Sequence, residues 1–311
     1  YSPINSLSKL QTLHLDNQNY YSNTALDLDN FKLLTELTEL NINNIRNIEN
    51  ISALSTFTKL ESLHASNINT ATIAFVNELP NIKVLDISSN SRLGDISPLE
   101  NLTQLEELNI NNNTNLDDIS PLGELTQLTK LSLSNLYYGQ TISLSPLTNL
   151  IALEELKINN NNLSNLSALE DLSQLKTLQM QSAQLDELFN FTNLTSLTDL
   201  DVSSNNLVTI DELLNATSLE TLNLRNNQQL TNVDGLVSAT ALASLTMNQL
   251  YALENIDGLA SLTKLTNLNL ENNRNVKDLT ALAELTSLQE LNLDNMTALT
   301  DISALFNLIN L

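Results

Sequence analysis

Cysteine is absent from all 311 residues, which removes disulfide staples, thiolate metal sites and thiol chemistry together. Tryptophan is absent as well, and glycine and proline number only five each. No glycine-rich phosphate loop can be found. Basic residues are scarce: 13 stand against 36 acidic ones, for a formal charge of −23. A surface of that sign repels a phosphate backbone, so nucleic acid is not an expected partner. No apolar run approaches the ~18 residues that cross a bilayer, and membrane insertion of this segment is not expected. A charged-then-apolar leader is also missing from the start.

What the chain has in quantity is leucine and asparagine. Its 41% apolar content is too high for disorder, and the sequence is too monotonous for an ordinary globular enzyme. The monotony is a repeat, L-x-x-L-x-L-x-x-N/L followed by a weaker apolar rhythm. It opens at Leu10, Leu37, Leu60, Ile82, Leu105, Leu128, Leu153, Leu175, Leu197, Leu219, Leu242, Leu265 and Leu288, with a partial copy at Leu308. Most copies are 22 or 23 residues apart. This predicts a single array over 1–311 of about 13 repeats. The array enters and leaves partway through a repeat, so the sequence reads as truncated at both ends, with caps, signal and anchor outside it.

The first half of each copy alternates, as in Leu105-Glu-Glu-Leu108-Asn-Ile110. That period of two predicts a short strand with one buried face. Next comes a position often held by asparagine: Asn90, Asn113, Asn161, Asn205, Asn227 and Asn273. An amide there can donate to and accept from the backbone of neighbouring coils, forming a ladder. Ile45, Ile68, Leu136, Ala183, Leu250 and Met296 interrupt it with apolar packing. The second half, Asp95-Ile-Ser-Pro-Leu99 or Asp118-Ile-Ser-Pro-Leu122, has the three-residue spacing of a 3₁₀ turn. Pro3, Pro98, Pro121 and Pro146 share one slot there with Gly235 and Gly258. One coil cannot bury its leucines alone, so the coils must stack. The fold class expected is an α/β leucine-rich-repeat solenoid, a curved right-handed coil with a parallel β-sheet on its concave face and 3₁₀ or short helical turns on its convex face.

With D-I-S-P-L, L-E-N-L-T-Q-L and G-E-L-T-Q-L recurring from end to end, the array resembles the bacterial internalin-like, SDS22-like class of leucine-rich-repeat proteins. The resemblance implies a surface-displayed or extracellular adhesion module that binds a protein through its concave face and edge loops, and not an enzyme. A cytoplasmic, SDS22-like scaffold or phosphatase regulator is the alternative reading. The family's helical cap and immunoglobulin-like segment have no counterpart in these residues.

The outward strand columns hold fourteen acids, among them Glu107, Glu155 and Asp201, against five bases, including Lys157 and Arg225. Such a face would steer a basic protein partner. It has no aromatic anchor, and Val84 and Ala243 are its only apolar members. Its hydroxyls and amides leave carbohydrate as a second ligand class. Aromatics gather at an edge instead: Tyr20 and Tyr21 in the longest repeat, Tyr137 and Tyr138 in an insertion, and Tyr251 at the matching place five repeats later. Loops that break the period are the usual place for function in a solenoid. These five tyrosines, with Glu107, Glu155, Lys157, Asp201 and Arg225, are the candidate partner-binding residues. Phe31, Phe57 and Phe191 fall in core slots.

No catalytic, cofactor or metal site is expected. His14 and His64 lie two strands apart in one column, about 10 Å, which is too far to share a zinc ion. Neither sits in a nucleophile-elbow context. Paired carboxylates such as Asp199 and Asp201 are expected to lie on an open sheet, where nothing excludes water or raises a pKa.

Overall fold

Alternation within L-x-x-L-x-L drives three-residue strands whose central leucine turns inward while its neighbours face out. The computed structural model describes residues 7–16, 25–136 and 139–311, and in it the strand Glu107–Asn109 buries Leu108 between two partly exposed residues. Among the described residues thirteen such strands form, six in a first compact unit, Tyr1–Leu153, and seven in a second, Glu154–Leu311. All the strand pairs described are parallel and in strict register. In the first unit Leu13 pairs Leu40, Leu63 pairs Leu85, and Leu85 pairs Leu108. The second unit continues the same pattern, with Leu178 against Leu200, Leu222 against Leu245, and Leu268 against Leu291. The ladder runs past the strand ends, because Ile87 N–H donates to Asn109 O at 3.0 Å and Ile110 N–H to Ser132 O at 3.0 Å.

Most coils return through 3₁₀ helix, as the three-residue apolar spacing predicts, whereas the coil between Thr177–Gln179 and Asp199–Asp201 returns through turns alone. Ser97–Asn101, Ser120–Glu124 and Ser145–Asn149 all carry proline in the first turn, where its missing N–H costs nothing. In the second unit the matching turns are Asp234–Leu236 and Asp257–Leu259, with glycine in that slot. The glycines have a steric cause: a Cβ on Gly235 would lie 2.0 Å from Ile210 O, and one on Gly258 2.0 Å from Val233 O. Here the turn of one coil lies against the backbone of the coil before it. The turn side of the first unit also carries a feature not expected from sequence, a two-residue parallel pairing of Leu26–Asp27 with Ile48–Glu49.

Stacking buries the leucines almost completely, and Phe31, Phe57 and Phe191 are each 1% exposed, as expected for core slots. A solenoid core is a set of such layers, so truncating a single leucine costs about 2–5 kcal/mol locally. The ladder asparagines are buried with them, and Asn90, Asn113, Asn227 and Asn273 are fully inaccessible. Their amides are satisfied by backbone. Asn90 Nδ2 donates to Ile87 O and Ala65 O, Asn205 Nδ2 to Val202 O and Met180 O, and Asn273 Oδ1 accepts from Leu250 N–H. Because each amide serves its own coil and the one before it, the tight turns leave few buried groups unpaired.

The residue just before the ladder position has left-handed backbone in coil after coil, with φ between 54° and 64° at Asn44, Asn67, Ser89, Asn112, Asn160, Ser182, Ser204, Asn226, Gln249 and Asn272. Asparagine tolerates this region better than most side chains. That explains why so many ladder positions are preceded by a second asparagine in a chain with almost no glycine.

Candidate binding faces

The strand residues that flank each buried leucine present two ordered columns to solvent, and the turn that follows fixes how they point. At the strand's end an Asn or Asp accepts the N–H two residues on: Asn109 from Asn111, Asp201 from Ser203, Asn223 from Arg225. These are Asx turns, in which a side-chain carbonyl stands in for a backbone one. Asp201 is therefore held on both oxygens, since Asn223 Nδ2 donates to its Oδ2 at 3.0 Å. Its charge faces outward, but its geometry belongs to the turn.

The lysines of this face each meet a carboxylate. Lys83 reaches Glu61 at 3.3 Å, Lys130 reaches Glu107 at 2.6 Å, Lys176 reaches Glu154 at 2.7 Å, and Lys157 pairs with Glu155 on its own strand. Each of these pairs is about half exposed or somewhat less, and exposed pairs of this kind are worth about 0–1 kcal/mol. They align side chains more than they stabilise the fold. With the lysines paired, the face keeps a net acidic character from carboxylates such as Asp199, Glu220 and Glu290.

Asp199 corrects the expectation that nothing here raises a carboxylate pKa. Partial burial, followed by the charge of Asp201 two residues along, pushes its carboxyl above the ordinary value. The strand places both acids on one face, and the flanking Thr177 and Thr221, its register partners, bring no positive charge. On the turn side the effect reverses. Hydrogen bonds from Ser97 hold Asp95 below the ordinary value, and those from Thr280 and Ser303 do the same at Asp278 and Asp301.

His14 and His64 occupy one column with Asn41 between them, as the repeat register requires. His14 Nε2 lies 2.9 Å from Glu39 Oε1, while His64 Nε2 lies 3.2 Å from Ser62 Oγ. The two rings are thus engaged separately. Among the described residues no group of three or more His, Asp or Glu side chains is placed to hold a metal ion.

The edge beyond the ladder carries a different chemistry. Tyr251 is 40% exposed, the Arg274 guanidinium lies over its ring at 5.7 Å, and Asn275 Nδ2 donates to its carbonyl at 2.9 Å. Arg225, exposed at the sheet's end, donates from Nε to Gln249 Oε1 at 3.4 Å. Two of the sequence-derived candidates, Arg225 and Tyr251, therefore lie near one edge of the second unit, and two more, Glu155 and Lys157, form an ion pair on its sheet. Glu107 faces outward from the first unit. Tyr20, Tyr21, Tyr137 and Tyr138 lie outside the described residues. Arg274 escaped sequence reasoning, although it sits 23 residues after Tyr251 in the same coil position.

A stacked parallel sheet, 3₁₀ returns and an asparagine ladder define a leucine-rich-repeat protein. A family model for leucine-rich repeats, in two copies, matches residues 80–124. No protein of curated function matches significantly. Among solved structures, an internalin of Listeria monocytogenes, InlF, superposes with a TM-score of 0.79 at 26% identity, covering 99% of this chain and 87% of that one. The functional domain of InlJ from the same organism gives a TM-score of 0.76 at 27% identity, over 98% of this chain and 62% of that one. A leucine-rich-repeat protein of Leptospira interrogans shares the fold, with a TM-score of 0.67 at 20% identity over 100% of this chain and 91% of its own. InlJ is described as including a cysteine ladder, whereas the present chain, without cysteine, builds its ladder from asparagine. The chain carries leucine-rich repeats, and its fold is similar to that of the bacterial internalins.

Proposed function

We propose that this chain is a non-enzymatic protein-binding module of a surface-displayed or secreted bacterial protein, and that its partner docks on the outward sheet face. The observation that carries this reading is the face itself: rigid columns of acids and amides, pre-aligned by Asx turns and cross-coil ion pairs, with the lysines already neutralised. A surface of this kind loses little side-chain freedom on binding. Its uncompensated carboxylates favour a partner with a basic patch and accelerate encounter with it. We read the chain as one repeat array, since the repeat phase runs in sequence through Leu128, Leu153 and Leu175. Among the described residues no helix is long and apolar enough to cross a membrane.

The test is to screen the intact chain against arrayed extracellular proteins and to map the best binder by hydrogen exchange. Protection should fall on the strands, and Glu107→Lys together with Asp201→Lys should weaken binding. Raising salt from low to physiological strength should weaken it too. Protection confined to the 3₁₀ side, or binding indifferent to salt, would remove the acidic sheet face from the account.

A further inference from the structure

In the second unit a cleft of about 270 Å³ opens beside the ladder, lined by Ser204, Asn205, Asn206, Asn226, Gln228 and Gln229. Its chemistry is unusual for this protein. Although the chain carries a charge of −23, no carboxylate and no cation lines the cleft, and neither does any apolar side chain. Amide side chains present two N–H donors and a carbonyl acceptor without carrying charge.

Part of this lining is fixed and part is free. Gln228 Nε2 donates to Asn226 Oδ1 at 2.9 Å, and Asn226 Nδ2 reaches Ser204 Oγ at 3.4 Å, so those side chains hold one another in place. Asn205 is buried, its amide spent on Val202 O and Met180 O, and forms the floor. Asn206 and Gln229 are exposed, and among the described residues their side chains form no hydrogen bond. They are donors and acceptors facing solvent.

The repeat register then places an aromatic residue one coil beyond the cleft. Asn223 pairs with Thr246 and Thr246 with Asn269, so Gln228, Tyr251 and Arg274 fall at one position in three successive coils, about 4.8 Å apart. The Arg274 guanidinium lies over the Tyr251 ring, and the residue is 40% exposed. A cation over one part of a ring fixes its tilt and leaves an apolar surface available for stacking.

We propose that this edge is a binding site for a neutral saccharide, with the amide cleft taking the hydroxyls of one sugar ring and Tyr251 stacking on the C–H face of the next. Each element follows from the lining. A sugar offers adjacent hydroxyls that both donate and accept, and amides are complementary to them. It also offers an apolar ring face, which is what an exposed tyrosine takes. The volume is just below the about 300 Å³ at which pockets for larger ligands begin, a size suited to one ring. No charged side chain lines the cleft, so the ring it takes is a neutral one, and the summed field of a strongly acidic protein adds to the selection against anionic sugars, while the Arg274 cation beyond the cleft is engaged over the Tyr251 ring. The site is separate from the sheet face, so it stands or falls independently of protein docking there.

The test uses the intact chain on an array of neutral oligosaccharides of glucose, galactose, mannose and N-acetylhexosamine, alongside uronate- and sialate-bearing counterparts, with saturation-transfer NMR on any that bind. At least one neutral oligosaccharide is expected to bind. Tyr251→Ala should weaken it about tenfold, Tyr251→Phe should keep most of the affinity, and Asn206→Ala with Gln229→Ala should lower it comparably, all with thermal midpoints near that of the parent. Asn206 and Gln229 are exposed, so their variants report on binding even if Tyr251→Ala perturbs the coil. Absence of binding to every neutral sugar overturns the proposal. So does preference for the acidic counterparts, or affinity unchanged in both sets of variants.

Discussion

The side-chain oxygen of Asn113 accepts the backbone N–H of Asn90 at 2.9 Å, so that one ladder asparagine is capped by the ladder asparagine of the next coil. Asn113 also donates to Ile87 O at 3.2 Å and to Ile110 O at 2.9 Å. Three backbone groups from two coils thus depend on one side chain that no water reaches. The consequence for stability is asymmetric, because a buried group that loses its partner costs more than the pair ever contributed.

Asn113→Ala should therefore destabilise the first unit by about 2–3 kcal/mol, within the range for leaving buried polar groups unpaired. Repeat arrays lose cooperativity under local damage, so a single melting midpoint is a poor measure. Hydrogen exchange is the better one: the Asn90 amide and its neighbours in the adjacent coils should lose protection, while the Asn227 amide in the second unit should keep it. Uniform loss across both units would show that the ladder does not act coil by coil.

Gly235 and Gly123 make a matched pair. A methyl group on Gly235 would sit 2.0 Å from Ile210 O and 3.1 Å from Asp211 Cα, both backbone atoms that cannot turn aside. On Gly123 the nearest atom would be Pro146 O at an ordinary 3.5 Å. Gly235→Ala should cost about 1–3 kcal/mol as the coils are pushed apart, whereas Gly123→Ala should be neutral or gain a few tenths by restricting the unfolded chain. Urea denaturation of the two variants checks this, and equal stabilities would mean that the turns slide past one another freely.

Much of this architecture can be read directly from the residues, for a reason particular to solenoids. The same environment recurs every coil, so Leu108 and its counterparts report one structural fact many times over. The 3₁₀ turns and the ladder follow from spacing at Asp95-Ile-Ser-Pro-Leu99 and at Asn113. Other features depend on distances between coils, which one repeat does not encode. The close approach behind Gly235 and the stacking of Arg274 on Tyr251 belong to that group. The left-handed column did leave a trace in the Asn-Asn pairs at 112–113 and 272–273, but that composition also suits a surface loop. At the binding faces sequence reasoning found the acids and Tyr251. It missed the amide cleft, because Asn206, Gln228 and Gln229 look like any solvated side chains until the coils are stacked.

Asp278 links the 3₁₀ turns to pH. Its carboxylate accepts Thr280 N–H at 2.8 Å, and hydrogen bonds from Thr280 hold its pKa below the unfolded value. A depressed carboxylate contributes stability in full above its unfolded pKa, near 3.9, and loses it as pH falls towards the folded value. Asp278→Ala should accordingly be less stable than the parent at pH 7, with the gap closing below about pH 3.9. Asp278→Asn should keep part of the cap without the pH dependence, as Asn232 and Asn255 do natively for Asp234 and Asp257. Stability of the three proteins measured from pH 7 down to pH 3 decides it. A gap between parent and Asp278→Ala that stays constant over that range would detach the turn from its charge.

Asp199 behaves in the opposite sense. Burial and the neighbouring Asp201 raise its pKa above the ordinary value, so the charged form is disfavoured in the folded state. For a raised carboxylate the favourable contribution exists below the unfolded pKa, and it is lost as pH rises through the folded one. At neutral pH the ionised side chain is thus a net cost, which Asp199→Asn removes while preserving shape. The variant should be more stable than the parent at pH 7, and the advantage should shrink as pH falls and Asp199 takes up its proton. Asp201→Asn makes the informative contrast. It relieves the same repulsion but replaces a carboxylate that accepts from Ser203 N–H at 2.8 Å and Asn223 Nδ2 at 3.0 Å, so it should gain less or lose stability outright. If a basic partner docks on this sheet, the order reverses in its presence: the parent, with both charges intact, should bind more tightly than Asp199→Asn. A free protein that is no more stable as Asp199→Asn than as the parent at pH 7 would show that solvent already screens the pair, and the case for a preloaded acidic face would lose its electrostatic footing.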